Sequence, residues 1–216
     1  MSEGARTYLQ LQAAPSAEAI LDTLRGQVSL PAVLLELLPE DEQDLAALTR
    51  VVHMVQDLDA AALIRDSIEI AKACKADGVH LSAGPELMVQ YERARNELPS
   101  DCIVGASTGL SRHSAMVVGE AGADYVAFEA SCEAGTQSHP HDEQVELLTW
   151  WSELFEIPCV ALGATNPEEG GRLADAGADF VGYAPAGTEQ ASDIAEQIQT
   201  FERKLSGRSE QAATNV

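Results

Sequence analysis

Short apolar runs that hardly alternate with polar residues recur along this chain: Ala32-Val33-Leu34-Leu35, Ala61-Ala62-Leu63-Ile64, Ile103-Val104-Gly105-Ala106, Tyr125-Val126-Ala127-Phe128 and Cys159-Val160-Ala161-Leu162. Runs of this length and character read as β-strands buried on both faces, the kind found in a parallel sheet covered by helices. Between them apolar residues return at helical spacing, as with Ala17, Ile20, Leu21 and Leu24 after the alternating Tyr8-Leu9-Gln10-Leu11-Gln12. Taken in order, strands are predicted at 8–12, 32–38, 61–64, 78–81, 103–107, 125–128, 159–162 and 180–183. Helices are predicted at 17–25 and 41–55, from Ser67 to Lys75, at 86–97, from Ser111 to near Gly122, at 143–155, from Asn166 onward, and at 191–205.

One joint is used repeatedly. Gly122-Ala123-Asp124-Tyr125-Val126 returns as Gly177-Ala178-Asp179-Phe180-Val181, and more loosely as Lys75-Ala76-Asp77-Gly78-Val79. In the first two a helix runs out at glycine, the residue that best tolerates the left-handed turn closing a helix, and a strand begins within three residues. Asn166-Pro167-Glu168-Glu169 has the opposite character, with a capping side chain, proline in the first turn and an acidic third position, so it opens a helix.

Eight strands alternating with eight helices predict an α/β fold, a (β/α)8 barrel in a single domain over 6–205, with a flexible start at 1–5 and a disordered tail at 206–216. The rival is an open doubly wound sheet, which the same pattern builds if the weak third strand fails.

Charge narrows the partners. Thirteen Lys and Arg face 35 Asp and Glu, a net charge of −22, which argues against nucleic acid, where neutralising phosphates supplies most of the affinity. No apolar run is long enough to span a membrane and the start of the chain has no signal pattern, so a cytoplasmic protein without a membrane partner is expected. Cys74, Cys102, Cys132 and Cys159 lack the paired spacing of a metal or redox site and read as small core residues. Of Trp150 and Trp151, one is expected on the barrel and the other at a surface or subunit contact, which leaves a homo-oligomer open.

In such barrels reacting groups follow the C-terminal ends of the strands. That rule selects Arg65-Asp66, His80 with Ser82-Ala83-Gly84-Pro85, Ser107-Thr108, Glu129, Gly163-Ala164-Thr165-Asn166 and Ala184-Pro185-Ala186-Gly187-Thr188. The last two loops consist largely of small residues that let a phosphate approach backbone N–H groups near a helix N-terminus, or that simply make tight turns. Arg65 reads either as a two-pronged phosphate contact or as an ion-pair partner of Asp66 or another carboxylate at the mouth. His80, His139, His141 and Asp142 form a less favoured alternative, a metal site. Under the plainer reading His80 is a hydrogen-bonded structural residue.

Several of these stretches together resemble the thiamine-phosphate synthase family. They are Ala76-Asp77-Gly78-Val79-His80-Leu81, Val104-Gly105-Ala106-Ser107-Thr108, Gly122-Ala123-Asp124-Tyr125-Val126-Ala127-Phe128, and the run from Ile157 through Leu162-Gly163-Ala164-Thr165-Asn166-Pro167-Glu168. The resemblance implies a barrel that joins a hydroxymethylpyrimidine diphosphate to a thiazole phosphate, releasing pyrophosphate with the help of magnesium. It implies Asp66 as a magnesium ligand and Ser107 as the serine after strand five, the candidate catalytic residue. Arg65, Thr108, Gly163, Ala164, Thr165, Gly187 and Thr188 are the candidate substrate and phosphate contacts.

The chain also departs from the family pattern. Ser82-Ala83-Gly84-Pro85 stands where the family has a Gly-Gln-x-Asp run, and no Lys or Arg lies between Arg25 and Arg50, where its Gln-x-Arg-x-Lys clamp belongs. None lies between Arg112 and Arg172, where a loop lysine is expected. The sequence therefore supports a diverged family member that binds a small phosphorylated metabolite at the loops after strands seven and eight, its synthase activity weak or lost. An active synthase is the alternative.

Overall fold

The computed structural model describes residues 4–13, 16–38, 44–129, 140–185 and 190–214. The elements run β1 (Arg6–Gln12), α1 (Ser16–Leu24), β2 (Ala32–Glu36), α2 (Leu45–Gln56), β3 (Ala61–Arg65), α3 (Ile68–Cys74), β4 (Gly78–Leu81), α4 (Leu87–Glu97), β5 (Ile103–Ser107), α5 (Arg112–Glu120), β6 (Tyr125–Glu129), α6 (Pro140–Leu154), β7 (Cys159–Ala164), α7 (Pro167–Asp175), β8 (Phe180–Tyr183) and α8 (Ala191–Thr214). Each strand pairs in parallel with its neighbours in sequence, and β1 closes the ring against both β2 and β8. The predicted barrel forms, weak third strand included.

Closure explains the unalternating pattern. One side of each strand faces the helices, where Leu9, Val33, Ala62, Val104, Val126 and Val181 are buried, and the other faces a lumen lined by Tyr8, Leu34, Leu63, Tyr125, Val160 and Leu162. Along most of each strand neither side meets water, so neither needs polar residues.

The repeated joint is a hydrogen-bonding device. Asp77, just before β4, accepts the Ala62 N–H of β3 at 2.8 Å; Asp124, before β6, accepts Val104 N–H of β5 at 2.7 Å; Asp179, before β8, accepts Cys159 N–H of β7 at 2.8 Å. Each aspartate satisfies a donor at the start of the preceding strand that the parallel ladder leaves over. Just upstream the backbone turns left-handed at Lys75 (φ 56°), Gly122 (φ 91°) and Gly177 (φ 100°).

Caps follow the sequence. Ser67, Ser111 and Asn166 each accept an N–H three residues on, at the starts of α3, α5 and α7. Helix α2 begins later than predicted, because Asp44 caps it by accepting Ala47 N–H at 2.9 Å. Helix α8 runs to Thr214, past the end predicted near Leu205, so the tail expected to lack structure continues the helix as far as Thr214. No proline interrupts that stretch, and Glu210, Gln211, Ala212 and Ala213 are good helix formers. Cys74 and Cys159 are buried, and burial pushes the Cys159 thiol up to about 12, as suits an inert core residue; Cys132 lies outside the described residues. Trp151 is fully buried and donates its indole N–H to the Ile157 carbonyl at 2.8 Å, while Trp150 is half-buried. No helix among the described residues is long and apolar enough to cross a membrane.

Candidate functional site

The C-terminal mouth of the barrel is crossed by one cation. Arg65, the last residue of β3, points inward, with Nη2 3.3 Å from Glu36 Oε1 at the end of β2 and Nη1 3.7 Å from Glu129 Oε2 at the end of β6. Nη1 also donates to Ser82 Oγ at 3.3 Å. The ion pairs extend to both sides: Gln10 Nε2 donates to the same Glu36 oxygen at 3.5 Å, and Ser107 Oγ donates to Glu129 Oε2 at 3.2 Å. Of the two readings of Arg65, the ion pair to mouth carboxylates is the one formed, though its partners are Glu36 and Glu129 rather than Asp66. Two glutamates against one guanidinium leave this ring net negative, which opposes a phosphate unless a cation accompanies it.

Beneath Arg65 lies a buried chain of three side chains. His80 Nδ1 meets Tyr125 Oη at 2.8 Å, and Tyr125 Oη meets Tyr8 Oη at 2.8 Å. Burial, with the nearby Arg65 charge, lowers the His80 pKa to about 3, so the ring is neutral at ordinary pH. Burial likewise raises both tyrosines, which stay protonated. His80 is thus hydrogen-bonded inside the barrel, as in the plainer reading. His139 lies outside the described residues, as does the side chain of His141, and Asp142 pairs with Arg172. Among the described residues no group of three His, Cys, Asp or Glu side chains could hold a metal ion.

Asp66 sits exposed at the rim in a left-handed conformation (φ 57°). Its two oxygens accept Ser82 N–H and Ser82 Oγ–H, both at 2.6 Å. Magnesium usually keeps several waters and takes one or two carboxylates together with substrate phosphates, and each Asp66 oxygen retains a second lone pair. A one-carboxylate magnesium site therefore fits the residues present.

The remaining candidates divide. Ser107 faces the lumen, whereas Thr108 points away: its N–H and hydroxyl both go to the Ala127 carbonyl, at 2.8 and 3.3 Å, and it is buried. Thr108 stands just past the end of β5, and these two bonds hold it inside the protein rather than at the mouth. Ala164 is likewise packed in the core beneath the helices. Gly163 stands at a break in the β7–β8 register with φ 97°, and a Cβ built there meets nothing within 4 Å, so its backbone borders open space. Thr165 is turned to α7, donating its N–H and hydroxyl to Glu169 Oε2 at 3.0 and 2.8 Å. A carboxylate of the chain itself thus sits at the N-terminus of α7, where an anion would sit. Gly187 and Thr188 lie outside the described residues. Glu36, central to the ring, does not stand out in the sequence; the available signal was a charge closing an otherwise apolar strand.

With this geometry in view, comparison with known proteins is direct. The family described as thiamine monophosphate synthase matches residues 10–186. The chain is 37% identical over 194 residues to the thiamine-phosphate synthase of Rhodospirillum centenum, a match covering 90% of this chain and 91% of the other. It is 42% identical over 149 residues to that of Erythrobacter litoralis, covering 68% of each. In fold it is similar to the thiamine phosphate pyrophosphorylase of Pyrococcus furiosus, with a TM-score of 0.71, 22% identity and coverage of 96% and 98% of the two chains. The chain belongs to the thiamine monophosphate synthase family.

Proposed function

We propose that the protein is an active thiamine-phosphate synthase of the cytoplasm, its reaction running at the C-terminal mouth of the barrel. The observation that carries this reading is the 37% identity to a synthase over nearly the full length of both chains. It outweighs the argument from missing sequence motifs, because relatives bearing the synthase name match this chain across the stretches concerned.

The substrates are a hydroxymethylpyrimidine diphosphate and a thiazole phosphate. The bond to the diphosphate breaks, its electron pair leaves with pyrophosphate, and the pyrimidine is joined to the thiazole. Magnesium, when bound, would neutralise charge on the departing pyrophosphate, and Asp66 is the residue that would hold it. The work of this chain is to orient two anions in an acidic mouth. Arg65 would turn part of its fork from Glu36 and Glu129 to a phosphate oxygen, and the open backbone at Gly163 would admit the other phosphate. Ser107, released from Glu129, would supply a hydroxyl donor beside them.

The test is growth of a strain lacking its synthase. Expression of this chain should restore growth without added thiamine, and Asp66→Asn should not. A second reading, a binder of a singly phosphorylated metabolite, is favoured by the carboxylates already paired with Arg65. Failure to restore growth, together with calorimetric binding of thiazole phosphate but not of the pyrimidine diphosphate with magnesium, would select it.

A further inference from the structure

At the opposite end of the barrel from the candidate site, the lumen is hollow. A cavity of about 250 Å³ is lined by Tyr8, Ala32, Leu63, Tyr125, Val160 and Phe180, with Pro31, Ala61, Ile103, Asp124 and Pro158 around it. The sequence explains why it is there. The first inward positions on β2 and β3 are Ala32 and Ala61, which offer only methyl groups. Two of the large lining residues, Tyr8 and Tyr125, are tied to each other by their hydroxyls. The Tyr125 ring lies over Gly105, where a Cβ would come within 2.0 Å of it, and its hydroxyl reaches Tyr8 and His80.

We propose that this basal cavity is a binding site for a small, uncharged, apolar molecule of about one ring. Three observations set that class. Inside the cavity the side chains offer no free hydrogen-bonding group: the tyrosine hydroxyls bond to each other and to His80, and the one charged lining residue, Asp124, stands exposed at the rim, its Oδ2 accepting from Val104 N–H and Arg95. The backbone at the rim is also satisfied, since the carbonyls of Pro31 and Pro158 accept Ala61 N–H and Val126 N–H at 3.0 and 3.1 Å. A polar or charged ligand would lose its hydration here without replacement. The volume exceeds the roughly 150 Å³ of an apolar cavity that holds benzene, and eight strands surround it, which suits one ring with a short substituent and excludes a helix or peptide. Ala61, Ile103 and Phe180 are only half-buried, so the cavity opens at the base and a ligand can enter without unfolding the barrel.

The test uses toluene and the full chain. Saturable binding of one toluene per chain is expected, with a melting temperature raised by about 3–6 °C at tenfold excess over Kd. NMR should show contacts from toluene protons to the Leu63 and Val160 methyls and the Phe180 ring. Ala32→Leu and Ala61→Leu, which fill the cavity, should abolish the response while leaving phosphate binding at the mouth intact. Absence of saturable binding to the native chain, absence of those contacts, or unchanged binding by a folded, filled variant would overturn the proposal.

Discussion

Arg65 at the end of β3 and Glu129 at the end of β6 face each other across the barrel mouth, Nη1 3.7 Å from Oε2, so the guanidinium an anion would meet there is already held by a carboxylate. Arg65 is the one cation among the described C-terminal strand ends, and two carboxylates already hold it. Replacing one carboxylate with its neutral isostere should release part of the guanidinium. Glu129→Gln is expected to tighten binding of thiazole phosphate by up to roughly fivefold, the scale of a partly exposed ion pair worth about 1 kcal/mol. Calorimetry checks it; weaker binding by the variant would mean that Glu129 contacts the ligand itself.

Gly163 makes the complementary case. At φ 97° any side chain is strained, and the space into which a Cβ would project is the open space assigned to phosphate. Gly163→Val should abolish thiazole phosphate binding and lower stability by about 1–2 kcal/mol. Binding is to be measured well below the variant's melting temperature, where wild-type affinity would remove this turn from the site.

Lys75 occupies the left-handed position that Gly122 and Gly177 fill in the other two joints. An L-residue there costs about 1–2 kcal/mol relative to glycine, partly offset by the greater freedom glycine brings to the unfolded chain. Lys75→Gly is therefore expected to stabilise the protein by about 1 kcal/mol, read as a shift in urea midpoint at unchanged slope. A loss of stability would show that the Lys75 side chain holds more than its backbone conformation costs.

These joints mark what was legible in the sequence. Helix ends at glycine followed by apolar runs gave the strands, their order and the barrel, because closure buries both faces of each strand. The same lack of alternation hid which residues look inward. The strand-end rule selects Thr108 and Ala164 together with Ser107 and Gly163, yet one bonds to the Ala127 carbonyl and the other packs under the helices. Only placement in the barrel fixes that parity, and at β7 the register break shifts it again. The acidic ring was half legible: Glu129 stood among the strand-end residues, while Glu36 was concealed in a run read as continuing to Leu38.

His80 makes stability depend on pH in a window where carboxylates hardly titrate. Its folded pKa, about 3, lies below the ordinary 6.5, so as pH falls below 6.5 the unfolded chain takes up a proton that the native state refuses. Stability present above pH 6.5 should be lost on acidification, by up to about 1.4 kcal/mol per pH unit. Between pH 7 and 5.5 the wild type should lose more stability than His80→Gln. Equal pH dependence would show that the histidine is protonated in the native barrel.

The central claim, that this mouth joins two phosphorylated heterocycles, is tested most directly by product formation. Purified protein supplied with hydroxymethylpyrimidine diphosphate, thiazole phosphate and magnesium should release thiamine phosphate and pyrophosphate in equal amounts over many turnovers. The reaction should stop on chelation of the metal and be lost in Asp66→Asn. If no thiamine phosphate forms even with protein in excess over substrate, while thiazole phosphate still binds, the chain is not a synthase.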